Sequence, residues 1–283
     1  MNAPSDGPTA HQRQPSELAL RVGSGLAMAV VALTTAWLGG PAFALLWTMA
    51  AILVLREWLT LVGLIGTARL ICWIGGAVAI AVAGVIAEGA GTAAPQAWIA
   101  VAAGSAAAAA MAPSGLRLWA AIGVAYAAVV AIVPIELRSH AAHGLVAILW
   151  VFAVVWMTDI AAYFVGRAVG GPKLWPRISP KKTWSGFLGG VAGGTAAAVV
   201  LVWIAHRAFG TGWIGGWPLV GLTVIAAVAS QGGDLFESAL KRRFGAKDSS
   251  SLIPGHGGVM DRLDSFWAVC LLLLLPLYGG GLS

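Results

Sequence analysis

The sequence predicts an all-α, polytopic integral membrane protein with about nine transmembrane helices, and three observations carry that prediction. Hydrophobic residues make up 59% of the 283-residue chain against 10% charged residues, with a mean hydropathy of +0.86. Soluble domains do not have this composition. Apolar stretches long enough to cross a hydrocarbon core of about 30 Å as helices recur along the whole length. The third observation is the lack of the alternating segments of about ten residues that mark a membrane β-barrel.

In order, the apolar runs lie near residues 18–37, 42–62, 70–88, 97–112, 117–135, 144–166, 187–206, 217–238 and 263–281. The fourth is short and alanine-rich, so eight spans is the competing count. With nine spans and a cytoplasmic N-terminus, fifteen of the 17 Lys and Arg residues fall on the cytoplasmic side, and only Arg138 and Arg207 on the other. That positive-inside bias favours nine; the expected setting is a bacterial cytoplasmic membrane with the active site facing the cytoplasm. Residues 1–17, rich in Pro, Ser, Gln and Gly, read as a mobile cytoplasmic tail. They do not read as a signal peptide, because the first span is long and has no clear small-residue cleavage site. Residues 18–143 read as a transmembrane scaffold, and 144–283 as the catalytic region with cytoplasmic loops 167–186 and 239–261.

Several function classes drop out at this stage. The balance of +6 is topological and lipid-facing, so no nucleic-acid partner is inferred. Cys72 and Cys270 sit in apolar runs as small core residues, and neither a disulfide framework nor a Cys/His metal site is available. No internal repeat is visible, which weakens an ion-coupled transporter. Gly186, Gly190 and Gly194, with Gly189 and Gly193, form small-residue stripes for close helix packing, inside the subunit or across a dimer.

Charge is scarce, yet residues 150–265 hold six of the eleven acids: Asp159, Asp234, Glu237, Asp248, Asp261 and Asp264. Ionisable groups at a bilayer are costly and point to function. On a helix continuing to about 243, Asp234, Ser238 and Lys241 share one face. Mutual neutralisation is one reading. The other is a carboxylate for a hard cation, with Lys241 and Arg242 for phosphate oxygens. Asp261 and Asp264, three apart at the start of the last span, either complement the helix dipole or share a cation with Asp234, while Arg262 meets a phosphate. The preceding His256-Gly257-Gly258 could form a backbone anion nest, with His256 in a structural or a substrate-binding role. Ser179-Pro180-Lys181-Lys182-Thr183 reads as the start of a helix whose free N–H groups cradle phosphate, or as an interfacial anchor with Trp175 and Trp184. Asp159 shares its helix face with Tyr163 and Arg167 and requires a partner if it lies in the membrane.

The run from Ser238 to Asp264, S-x-L-K-R-x4-K-D-x-S-x2-I-P-x-H-G-G-V-x-D-R-L-D, resembles the signature of phosphatidate cytidylyltransferases, also called CDP-diacylglycerol synthases. Asp159, Ala162-Tyr163, Gly166-Arg167 and Ser179-Pro180-Lys181-Lys182-Thr183 are similar to that family as well. The likeness is firm over about 156–265, and the first half matches only in being multispan. It implies a Mg²⁺-dependent membrane enzyme making CDP-diacylglycerol and pyrophosphate from CTP and phosphatidic acid, with Mg²⁺ alone or beside a second cation. It assigns metal binding to Asp234 and Asp261, and catalytic phosphate contacts to Lys241 and Arg242. Ser179, Lys181, Lys182, Thr183, Lys247, Asp248, His256, Gly257, Gly258, Arg262, Asp264 and Asp159 become the substrate-binding set. Many members carry an acid two residues after that threonine. This chain has Ser185 there, so no metal ligand is assigned to it. A homodimer is compatible with the family. A CTP-dependent lipid kinase or other lipid transferase, and an ion-coupled transporter, are the alternatives.

Overall fold

The computed structural model describes residues 17–91, 93–210, 215–253 and 257–279. Nearly all of tail 1–17, and His256 with its assigned role, lie outside the described residues. Among those described, nine α-helices follow the nine apolar runs: α1 (Glu17–Leu38), α2 (Gly40–Leu61), α3 (Gly66–Ala90), α4 (Pro95–Met111), α5 (Arg117–Ser139), α6 (Gly144–Val169), α7 (Trp184–Phe209), α8 (Gly216–Arg243) and α9 (Met260–Tyr278). Six are long and apolar enough to cross a membrane by length and composition: α2, α3, α5 with its preceding turn, α6, α7 and α8. Helix α4 has only 17 residues, and α9 opens on Asp261, Arg262 and Asp264. The chain is an all-α, multi-pass membrane protein.

Helix α5 forms the axis, packing on α2, α3, α4, α6 and α9. Trp58 of α2 fills the centre, fully buried, and donates its indole N–H to the Trp119 carbonyl at 2.9 Å. Cys72 and Cys270 are buried free thiols, as the apolar context predicts. At the end remote from the basic loops, Glu136 of α5 is buried. It accepts the Ala94 N–H at 2.8 Å and the Tyr278 hydroxyl at 2.6 Å, which ties the last turn of α9 to α4 and α5.

Both glycine stripes of α7 face α6. A Cβ on Gly190 would lie 2.9 Å from the Thr158 carbonyl oxygen, one on Gly186 2.8 Å from that of Ala162, and one on Gly193 2.5 Å from the Ala161 methyl. The stripes therefore serve packing within the chain, and the dimer reading loses this support.

One local expectation is corrected. Pro180 does not begin a helix. Lys173–Trp175 (β1) and Ser179–Thr183 (β2) form an antiparallel hairpin with Lys173 opposite Thr183 and Trp175 opposite Ser179. The N-cap is Thr183, whose hydroxyl accepts the Gly186 N–H at 3.1 Å. Ser-Pro suits a helix start and an edge strand equally, and the capping hydroxyl four residues on decides between them. The expected continuation of the eighth helix to about 243 is found, since α8 runs to Arg243, and α9 begins at Met260.

Candidate active site

The hairpin, the end of α8 and the start of α9 meet at the basic end of the bundle. Lys182 of β2 places its ammonium 2.7 Å from Asp234 Oδ2, and Ser238, one turn on, donates to Asp234 Oδ1 at 3.3 Å. Gln231, buried on α8, donates to the Phe187 carbonyl at 2.9 Å and locks α8 to α7 just below this pair.

Lys241 does not pair with Asp234. Its ammonium lies 2.6 Å from Asp261 Oδ1 and 3.5 Å from Glu237 Oε1. Asp261 Oδ2 takes three further donors: the Ser249 N–H, the Gly258 N–H and the Ser249 hydroxyl, each at 2.9 Å. Of the expected glycine nest, the Gly258 N–H is already taken by Asp261 of the same chain, one helical turn on. Gly257 has φ +81°, a conformation a side chain strains, and a Cβ on Gly258 would come within 2.6 Å of Glu57 Oε2. Both glycines of the signature are therefore backbone requirements.

Asp264 joins the two ion pairs. Its carboxyl group lies beside that of Glu237 and within the fields of Asp234 and Lys241. Asp159 of α6 feels Asp264, Asp234, Lys182 and Arg262. It makes no hydrogen bond or ion pair of its own among the described residues. Arg167, the candidate partner on the same face, instead donates to the Tyr163 hydroxyl at 2.8 Å. The structure thus gathers Asp159, Lys182, Asp234, Glu237, Lys241, Asp261, Arg262 and Asp264. It leaves Lys181, Arg242, Lys247 and Asp248 exposed at the surface. Arg242 reaches only the Ala246 carbonyl, at 3.5 Å. Thr183 is buried as the cap, and Ser179 is half-buried in the hairpin.

Glu57 is the residue the sequence reading missed. It sits on α2, in the supposed scaffold, only 4% exposed. Its Oε1 accepts the Val259 N–H at 3.0 Å and the Ser250 hydroxyl at 2.6 Å. Its Oε2 accepts the Met260 N–H at 2.7 Å and lies 3.1 Å from the Ser249 hydroxyl. One carboxylate thus holds both the first N–H groups of α9 and the serine run before it, and Ser249 links it to Asp261. The available signal was a carboxylate inside an apolar span.

The acids supply only oxygen donors, as a hard cation requires. Neither Glu237 oxygen has a hydrogen-bond donor among the described residues. Among the described residues, no three acidic, His or Cys side chains are arranged there as a preformed cage. Mg²⁺ keeps several waters and is bound through one or two carboxylates plus substrate phosphates, so this donor set fits it. Among the described residues, Asp234 Oδ1 is held only by Ser238. Asp261 Oδ1 would be released by a shift of Lys241.

Acids and ammonium groups interleaved at one end of a multi-pass helical protein are an arrangement able to offset phosphate charge. The chain belongs to the cytidylyltransferase family, whose model matches residues 19–278. It is similar to the phosphatidate cytidylyltransferase of Brucella suis biovar 1 (strain 1330), 52% identical over 132 residues that cover 47% of each chain. It is also similar to the protein of that name from Staphylococcus haemolyticus (strain JCSC1435), 45% identical over 130 residues, 46% of this chain and 48% of that one. The chain thus spans about half the length of the curated relatives it matches.

Proposed function

We propose that this protein is a phosphatidate cytidylyltransferase that converts CTP and phosphatidic acid to CDP-diacylglycerol and pyrophosphate. The observation that carries the reading is the convergence of Lys182, Asp234, Lys241, Asp261 and Asp264, from three separate elements, at the basic end of the bundle. The relatives' names support it.

In this reading a phosphatidate oxygen attacks the α-phosphorus of CTP. The new P–O bond forms as the bond to the bridging oxygen breaks, and pyrophosphate leaves with that electron pair. A phosphate monoester is largely ionised at neutral pH, so the attacking oxygen needs no strong base. Lys182 and Lys241, already positioned by Asp234 and Asp261, provide fixed positive charge against the triphosphate. Asp234 and Asp261 would hold Mg²⁺, which supplies further neutralisation of the phosphates. The Lys/Arg distribution supports a cytoplasmic setting for this end, where CTP is dissolved. Exposed Ile160, Tyr163 and Phe164 on α6, with Leu188 on α7, give the neighbouring outer surface an apolar face. It suits a substrate that arrives through the leaflet.

The test is turnover by purified protein of CTP labelled separately at the α- and γ-phosphorus, with phosphatidate and Mg²⁺. The α-label should appear in CDP-diacylglycerol. Transfer of the γ-label to lipid would establish a kinase instead.

A further inference from the structure

A cavity of about 350 Å³ opens at the same end of the molecule, between α2, the start of α3 and the serine run. Its polar wall includes Arg56, Arg69, Ser250 and Ser251, and Leu53 and Leu252 provide apolar wall. Neither arginine has an ion-pair partner among the described residues. Glu57, the acid in the lining, has both oxygens engaged by the loop and α9. Those partners are all neutral N–H and O–H groups, and Glu57 forms no ion pair with either arginine among the described residues. The Ser251 hydroxyl likewise has no hydrogen-bond partner among the described residues. Two guanidinium groups without an ion-pair partner in one concave site, beside the Ser251 hydroxyl, match the oxygens of a phosphate, which arginine binds through paired N–H groups. Among the described residues, no aromatic side chain lines the cavity to stack a nucleobase. Its leucines suit the glycerol and acyl root of a lipid.

We propose that the Arg56–Arg69 cavity is a phosphate-binding site, distinct from the Asp234–Asp261 cluster and separated from it by the Glu57–Ser249 wall. The ligand class is a phosphate monoester or diphosphate group, carried on a lipid headgroup or free in solution. Ser249 touches both Glu57 and Asp261, so an anion held here orders the loop that also shapes the acidic cluster. The proposal goes beyond the transferase reading and does not depend on it, since anion binding needs no turnover.

The test is local to the cavity. Ser251→Cys is introduced into the full-length chain in detergent micelles, and its alkylation by a water-soluble maleimide is timed. The native thiols contribute little, Cys72 being 2% and Cys270 1% exposed. Inorganic pyrophosphate is titrated in one arm. In another, phosphatidate is added to the micelles against a phosphatidylcholine control. Slowed labelling with pyrophosphate supports a free phosphate ligand, and slowing by phosphatidate alone supports a lipid headgroup. In either case Arg69→Gln should raise the half-protecting concentration about tenfold, the loss expected for one charge-assisted hydrogen bond. Leu252→Cys provides a second reporter should Ser251→Cys misfold. Unchanged labelling with both ligands in both reporters overturns the proposal. So does protection that survives Arg56→Gln and Arg69→Gln together. Failure to form CDP-diacylglycerol would count against the transferase reading only.

Discussion

Glu57→Gln puts the cross-chain latch to a sharp test. Each Glu57 oxygen accepts one backbone N–H and contacts one serine hydroxyl: Val259 and Ser250 at Oε1, Met260 and Ser249 at Oε2. A serine hydroxyl can rotate to accept from an amide, but a backbone N–H cannot. Whichever oxygen becomes NH₂, one buried N–H at the start of α9 faces another donor. An unsatisfied buried donor costs about 1–3 kcal/mol, which shifts the docked-to-undocked ratio of the loop about 5- to 150-fold. Because Ser249 and Gly258 also hold Asp261, we expect kcat/KM for CDP-diacylglycerol formation in nanodiscs to fall by at least about fivefold, the lower end of that range. Tryptic cleavage at exposed Lys247 should accelerate in parallel. Glu57→Ala, which orphans both N–H groups, should be worse on both counts. A Gln variant with wild-type kcat/KM and wild-type cleavage would show that the latch does not govern the site.

Two more outcomes separate catalysis from stability. Lys182→Ala should lower activity at least about tenfold yet cost no more than about 1 kcal/mol, since the pair it breaks is partly exposed; turnover and detergent thermal unfolding read the two effects. Lys241→Ala strands Asp261 and Glu237, whose side chains are only 5% and 0% exposed, so a loss of about 3–5 kcal/mol should appear in the same unfolding assay. In the helix pair, Gly190→Val should destabilise by about 1–3 kcal/mol through overlap with Thr158 and Ala162, whereas Gly75→Ala, with nothing within 4 Å, should be neutral.

Helix positions were legible because a membrane span must be apolar for its full length, and the nine runs match nine helices within a few residues. The acidic cluster was legible for the converse reason, since charge persists near a bilayer only where something requires it. Partner choice was not legible. Helical spacing placed Ser238 beside Asp234 correctly, but it could not show that Lys241 turns to Asp261 or that Lys182 crosses from the hairpin. Those pairings depend on the tertiary approach of α7, α8 and α9. The hairpin was missed because Ser-Pro serves two local structures. Glu57 was missed because its partners lie 192 to 203 residues away, a separation over which pattern carries no information.

Glu57 and Glu136 act on the two ends of one helix. The first Met260 N–H docks on Glu57, and the terminal Tyr278 hydroxyl docks on Glu136. The last helix is thus a beam resting on two supports that the chain lays down long before the beam is made. A fragment starting at Gly144 would contain the entire acidic cluster and both lysines, yet would have neither support. During synthesis, α9 has no finished seat within its own half and must close against helices already in place. The segment that completes the site is then also the one that fastens the bundle.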